Sequence, residues 1–120
     1  MLKQINSKIG GDLYHMKFPQ KMDNMKSMLI GIDVCHAGGK SIVDFAASTN
    51  AQMSQYYSDF FAQNKGQEIV SNEMVACIKK AMEKFSKCNG NQLPTDIIIF
   101  RDGVSAAERS QVIDREISQF

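Results

Sequence analysis

The chain has 120 residues, 43% of them apolar and 22% charged. Those proportions exclude a disordered chain and point to one globular core, a thin one, because a chain of this size buries only about two-thirds of its unfolded surface. A formal charge of +1, from 14 basic and 13 acidic residues, excludes a bulk field that would draw in nucleic acid or membrane.

Any such attraction must be local. One candidate patch is N-terminal, with Lys3, Lys8, Lys17, Lys21 and Lys26. The other, Lys79, Lys80, Lys84 and Lys87, reads as the solvated face of a helix. Three widely spaced cysteines, Cys35, Cys77 and Cys88, contain no CxxC pair, which excludes a disulfide framework and a zinc site and fits a reducing compartment, nucleus or cytoplasm. No apolar leader and no run of ~18 apolar residues is visible, so neither a signal peptide nor a membrane span is expected.

In chain order, Met1 to Ile9 is expected to form a short helix stopped by Gly10-Gly11, and Leu13 to Phe18 alternates like a strand before Pro19. Met28 to Val34 is a compact apolar run interrupted by Asp33, the pattern of a central strand buried on both faces. After a loop over 36–40, Ser41 to Ser48 and Gln55 to Gln63 predict two more strands in an antiparallel meander. From Glu68 to Lys87 the set Ile69, Val70, Met74, Val75, Ile78, Ala81, Met82 and Phe85 recurs at three- and four-residue steps, which predicts a long helix ended by Asn89-Gly90-Asn91. Asp96 to Phe100 is a short, continuously apolar run, predicted as a buried strand parallel to an earlier one because a helix leads to it. Ser105 and Glu108 have capping-box spacing, so a last helix is expected over Ala106 to Ile117. The order is βββαβα, an α/β fold with a mixed sheet.

Two acids sit badly with a purely structural role. Asp33 is expected at the C-terminal end of the central strand, and Asp102 directly after a neighbouring parallel one, so both carboxylates would meet at the sheet edge where α/β proteins hold ligands. Carboxylates brought together repel unless a cation lies between them, which implies a hard divalent metal such as Mg²⁺. Asp102-Gly103 is also a turn signature and Asp33 a possible strand-end cap, so each acid taken singly has a structural explanation. Glu68, at a helix N-terminus, is likewise favoured there by the helix dipole. Nucleotide binding through Gly38-Gly-Lys-Ser41 is excluded, because the first glycine of a phosphate loop would fall at Val34. No serine or cysteine stands in a nucleophile elbow, and nothing supplies a base for Cys35.

Gly31-Ile-Asp-Val-Cys-His36, Gln67-Glu-Ile-Val70 and Arg101-Asp-Gly-Val-Ser105 resemble, in order and spacing, the catalytic segments of the Piwi domain of Argonaute and Piwi proteins. Gln4-Ile-Asn-Ser-Lys-Ile-Gly-Gly11 resembles the segment that precedes them. The opening Gln4-Ile-Asn6, Ser41-Ile-Val-Asp-Phe-Ala-Ala-Ser48 and Glu116-Ile-Ser-Gln-Phe120 resemble the Piwi branch in particular.

The resemblance implies a partial RNase-H-like domain over 1–120, with 1–27 as a lead-in and 28–120 as the core. It implies RNA-guided cleavage of RNA by a two-metal reaction with Mg²⁺ or Mn²⁺, a guide small RNA and a target RNA as partners, and neither a membrane nor a small-molecule substrate. Asp33 would match the acid that bridges the metals, Asp102 the second aspartate ligand, and Glu68 the glutamate that completes the site. Lys8 would match a lysine near the guide's 5′ phosphate, with Gln4 and Asn6 in the same motif.

Departures from the family are Asp44, where relatives commonly carry a small or apolar residue, and Phe100, where a tyrosine is frequent. Cleaving members use a fourth ligand, a histidine or aspartate, in a later segment; neither His15 nor His36 occupies that place. The chain alone is therefore expected to be inactive, and the competing expectation is a non-cleaving fragment that only binds RNA or a protein partner.

Overall fold

The computed structural model describes residues 2–12, 14, 26–64 and 71–102. Helix α1 spans Leu2–Lys8. Strands β1 (Ser27–Ala37), β2 (Lys40–Ser48) and β3 (Tyr56–Asn64) follow, then helix α2 (Ser71–Cys88) and strand β4 (Asp96–Arg101). The sheet order is β3-β2-β1-β4. β1 pairs antiparallel with β2, β2 with β3, and β1 runs parallel to β4, as the helical crossover predicts. Of the expected strand within Leu13 to Phe18 only Tyr14 is described, and the expected helix within Ala106 to Ile117 lies outside the described residues.

One amphipathic helix and one sheet face make the core. Met74, Cys77, Ala81 and Phe85 recur at the three- and four-residue steps that line a single side of α2. They pack with Met28, Ile30 and Ile32 of β1 and Val43, Phe45 and Ala47 of β2, all buried. Each large side chain so buried contributes about 1.5–3 kcal/mol relative to exposure. Tyr57 of β3 meets Phe45 edge-on, ring centroids 6.4 Å apart. Cys77 belongs to the helix stripe, which the sequence reading did not count as apolar there.

Both helices stop at a glycine with positive φ, Gly10 at 84° and Gly90 at 64°. After α1, Gly11 N donates to Asn6 O (2.8 Å) and Gly10 N to Ser7 O (3.2 Å), the paired bonds of a Schellman cap; after α2, Asn91 N donates to Ser86 O at 2.8 Å.

Several expectations need correction. The loop over 36–40 is a two-residue turn: Gly38 and Gly39 have φ of 58° and 83°, the geometry that joins twisted antiparallel strands, and β1 continues through Ala37, paired with Lys40. β1 is not buried along both faces: Met28, Ile30 and Ile32 point into the core, whereas on the other face Ser27 is buried, Leu29 and Gly31 are half-buried, and Asp33 and Cys35 are exposed. β4 is an edge strand rather than a buried one, with Ile97, Ile98 and Phe100 exposed, because α2 lies chiefly over β2 and β3. α2 is described from Ser71 on; Glu68, Ile69 and Val70, the expected start of this helix, lie outside the described residues.

α2 is tied to β3 by a polar latch at the rim of the core. Tyr57 Oη donates to Asp59 Oδ2 at 2.6 Å, Lys80 Nζ donates to the same oxygen at 3.1 Å, and Phe60 N donates to Asp59 Oδ1 at 3.0 Å. The Tyr57 hydroxyl first, then Lys80 and the Phe60 amide, hold the Asp59 carboxyl below the usual carboxylate range. Burial, reinforced by Asp59, pushes the Tyr57 hydroxyl up. A carboxyl depressed in the folded state stabilises the fold above its unfolded pKa, about 4, and that contribution disappears as pH falls through the lower folded value. Asp59→Asn is expected to flatten the acid limb of the stability profile below about pH 4 and to leave its neutral limb parallel to wild type. Urea midpoints at a series of pH values measure this, and an unchanged acid limb would show that the latch carries no proton linkage.

Candidate functional site

The parallel pairing of β1 with β4 brings two remote acids to one level of the sheet. Register partners run from Ser27 with Asp96 to Ile32 with Arg101, and one step on, Asp102 N donates to Ile32 O at 3.1 Å. Asp33 and Asp102 are both exposed and line the same hollow on the face away from α2, with Asp44, Phe60, Phe100 and Gly31 around them. Asp33 is not at the end of its strand, as expected from sequence, but four residues before it; it is level with the end of β4. Asp33 Oδ1 accepts the Val34 amide at 2.8 Å, which fixes the side chain's direction, and the Arg101 guanidinium donates to the backbone carbonyl of Asp102.

Neighbouring strands lie about 4.8 Å apart, and Mg²⁺ holds oxygen ligands at about 2.1 Å, so side chains at one level on one face are spaced to share an ion. The donors fit a hard cation, since the described side chains lining the hollow offer carboxylate and hydroxyl oxygens and, among the described residues, no sulfur and no imidazole. Among the described residues no group of three or more His, Cys, Asp or Glu forms a metal-holding cluster. The third expected acid, Glu68, is outside those residues.

Asp44 was passed over as a site residue by the sequence reading. The Gly38-Gly39 turn sets it directly opposite Asp33 in the β1–β2 register, and a five-residue loop hides that register. Like charges opposed across strands destabilise a sheet by about 0.2–1 kcal/mol. Asp44→Asn is therefore expected to raise the urea midpoint by a corresponding amount, with the gain shrinking in high salt. A midpoint that falls would mean that Asp44 makes a stabilising contact.

A second hollow lies between the helix ends. Gln4 and Lys8 of α1 line it, with Lys3, Lys84, Lys87 and Tyr56. Asn6, the third residue expected there, does not line it. Its side chain occupies the space next to Gly11, where a Cβ would collide with it, so its placement is that of a packing residue for the chain reversal.

A model of the family described as the Piwi domain matches residues 1–120. Piwi-like protein 1 of Gallus gallus is 37% identical over 120 residues, covering 98% of this chain and 13% of that protein. Protein argonaute-3 of Drosophila melanogaster is 40% identical over 120 residues, with the same coverage of 98% and 13%. The chain thus spans about one-eighth of the length of these relatives. Among solved structures, Kluyveromyces polysporus Argonaute with a guide RNA aligns at a TM-score of 0.84 and 26% identity, over 98% of this chain and 15% of that one. The N. crassa QDE-2 AGO MID-PIWI domains align at 0.83 and 28% identity, over 97% and 35%. The mixed sheet and its helix are accordingly part of an RNase-H-like fold.

Proposed function

The chain belongs to the Piwi domain family, and from that premise we propose that it is the part of a small-RNA-guided protein that supplies acids of an RNase-H-type endoribonuclease site. The observation that supports this reading is the meeting of Asp33 and Asp102 on one face of neighbouring parallel strands.

In this reading residues 28–120 form the core that carries the acids and residues 1–27 lead into it. Asp33 and Asp102 would hold Mg²⁺ or Mn²⁺, and Glu68 would complete the site. Such ions activate the attacking water and stabilise the leaving oxygen of a phosphodiester. The chain's own contribution is placement. The parallel ladder fixes the spacing of the two carboxylates, and the Val34 amide orients Asp33. Lys8 and Gln4 contact the 5′ phosphate of the guide, and Asn6 shapes the turn behind them. Target RNA paired to the guide then presents its scissile phosphate to the acids.

The test is guide-directed cutting of a complementary RNA in Mg²⁺ by the full-length protein that carries this chain. Cutting that requires both Asp33 and Asp102 is the expected result. Cutting that survives alanine at either position, or a protein that binds guide and target but never cuts, would overturn the endonuclease reading.

A further inference from the structure

The near-zero formal charge conceals a separation of charge. Lysines line the groove between the helix ends, whereas the acidic hollow on the open sheet face carries Asp33, Asp44 and Asp102. Asp33 and Asp102 belong to the segments that resemble the family's catalytic ones. Asp44 does not; it is a departure from the family, so its place in the hollow is a property of this chain.

Strand pairing puts the three acids in one row across the sheet. Asp44 of β2 is the register partner of Asp33. On the other side Asp33 lies one step beyond the pair of Ile32 with Arg101, level with Asp102. Phe60 of β3 pairs with Asp44 and ends the row. The row beneath is low in the middle: Gly31 pairs with Ala46 and with Phe100, and a Cβ added at Gly31 would meet nothing within 4 Å. Directly opposed side chains have Cβ atoms about 4.5–5.5 Å apart. Asp33 Oδ1 accepts the Val34 amide, whereas the Asp44 carboxylate has neither a hydrogen bond nor an ion pair with a described residue. Its charge therefore faces another acid without a cation to offset it. Among the described residues no three acids converge to hold one ion directly, which leaves Asp44 a contact through water. Mg²⁺ sheds its waters reluctantly and keeps several of them when bound. A carboxylate one strand away from a ligand is placed to accept hydrogen bonds from those waters, and outer partners of this kind are worth about 10–100-fold in metal affinity.

We infer that Asp44 tightens the hold of this hollow on a divalent cation by accepting hydrogen bonds from the water shell of an ion at Asp33 and Asp102. It is a positioning residue, and the inference rests on the proposed reading of those two acids as ligands. Asp44 then has two opposite effects. Without a cation it only repels Asp33; with one, both carboxylates attract the same charge.

Electron paramagnetic resonance of Mn²⁺ titrated into the full-length protein that carries this chain tests it, since the free ion's signal falls as the ion binds. The bound Mn²⁺ that is lost in Asp33→Ala defines the site. Asp44→Asn is expected to raise the Kd of that ion about tenfold, and Asp44→Glu to restore it to within about threefold of wild type. Because Asp44→Asn is expected to stabilise the metal-free fold, a weaker hold on the ion cannot be ascribed to unfolding. Glu83→Gln removes the same charge from an exposed position on α2 and is expected to leave the Kd unchanged. Water proton relaxation should count as many waters on the bound ion in Asp44→Asn as in wild type. A Kd for Asp44→Asn within about twofold of wild type, an equal loss in Glu83→Gln, or an additional metal-bound water in Asp44→Asn would each overturn the inference and leave Asp33 and Asp102 as ligands. Mn²⁺ binding that is indifferent to Asp33 would bring down the reading beneath it, and the inference with it.

Discussion

Alanine at Asp33 is expected to slow guided RNA cleavage by about three decades or more in the full-length protein, with guide affinity left within about twofold. Metal-ion catalysis supplies several kcal/mol of transition-state stabilisation, and each decade of rate corresponds to about 1.4 kcal/mol. On the proposed reading Asp33 would hold such an ion, and its loss should then remove most of that stabilisation. Asp102→Ala should cost a similar amount, and the double variant little more than either single one, because ligands of one site act as a unit. Guide affinity should persist because the acidic hollow and the lysine groove share none of the residues that bear their charge. Single-turnover rates with saturating guide separate the two effects. A rate within tenfold of wild type would show that Asp33 holds no catalytic ion.

Phe85→Ala should cost about 3–5 kcal/mol, the range for truncating a fully buried aromatic ring. Phe85 is 0% exposed and belongs to the core cluster between α2 and the sheet. Domains of this size are stable by only about 5–15 kcal/mol in total, so the variant should sit near the edge of unfolding at 37 °C. Phe60 is the control. It is 70% exposed on the opposite face, and its truncation should change stability by no more than about 0.5 kcal/mol. Urea unfolding of both variants measures the difference. Equal losses at the two positions would mean that the face bearing Phe60 is covered in the folded protein.

Much of this layout was legible in the sequence because hydrophobic period reports on burial. The steps between Met74, Ala81 and Phe85 identified α2, and the apolar runs around Asp33 and before Asp102 identified the strands whose pairing unites the acids. Turn geometry was harder to read. Gly38-Gly39 looks the same in a loop and in a tight hairpin, and only the hairpin register reveals Asp44 opposite Asp33. Exposure of β4 was also hidden, since an apolar run is consistent with a covered strand, and which strands α2 overlies depends on packing across the whole sheet. The α2 lysines are solvent-exposed, as the helix pattern predicts, but charge on a helix face says nothing about what another element brings alongside it. The family segments located Asp33, Glu68 and Asp102 in the chain, but no sequence pattern states how near two of them come.

Because Asp33 and Asp102 meet through the β1–β4 ladder, the pairing of these two acids has no local precursor. A chain that had formed the hairpin of β1 and β2 but not yet docked α2 would hold Asp33 beside Asp44 and far from its eventual neighbour. The entropy of closing the long intervening segment must be overcome before the two strands can zip together. The pairing of the two carboxylates is then a property of the assembled sheet and of neither strand alone.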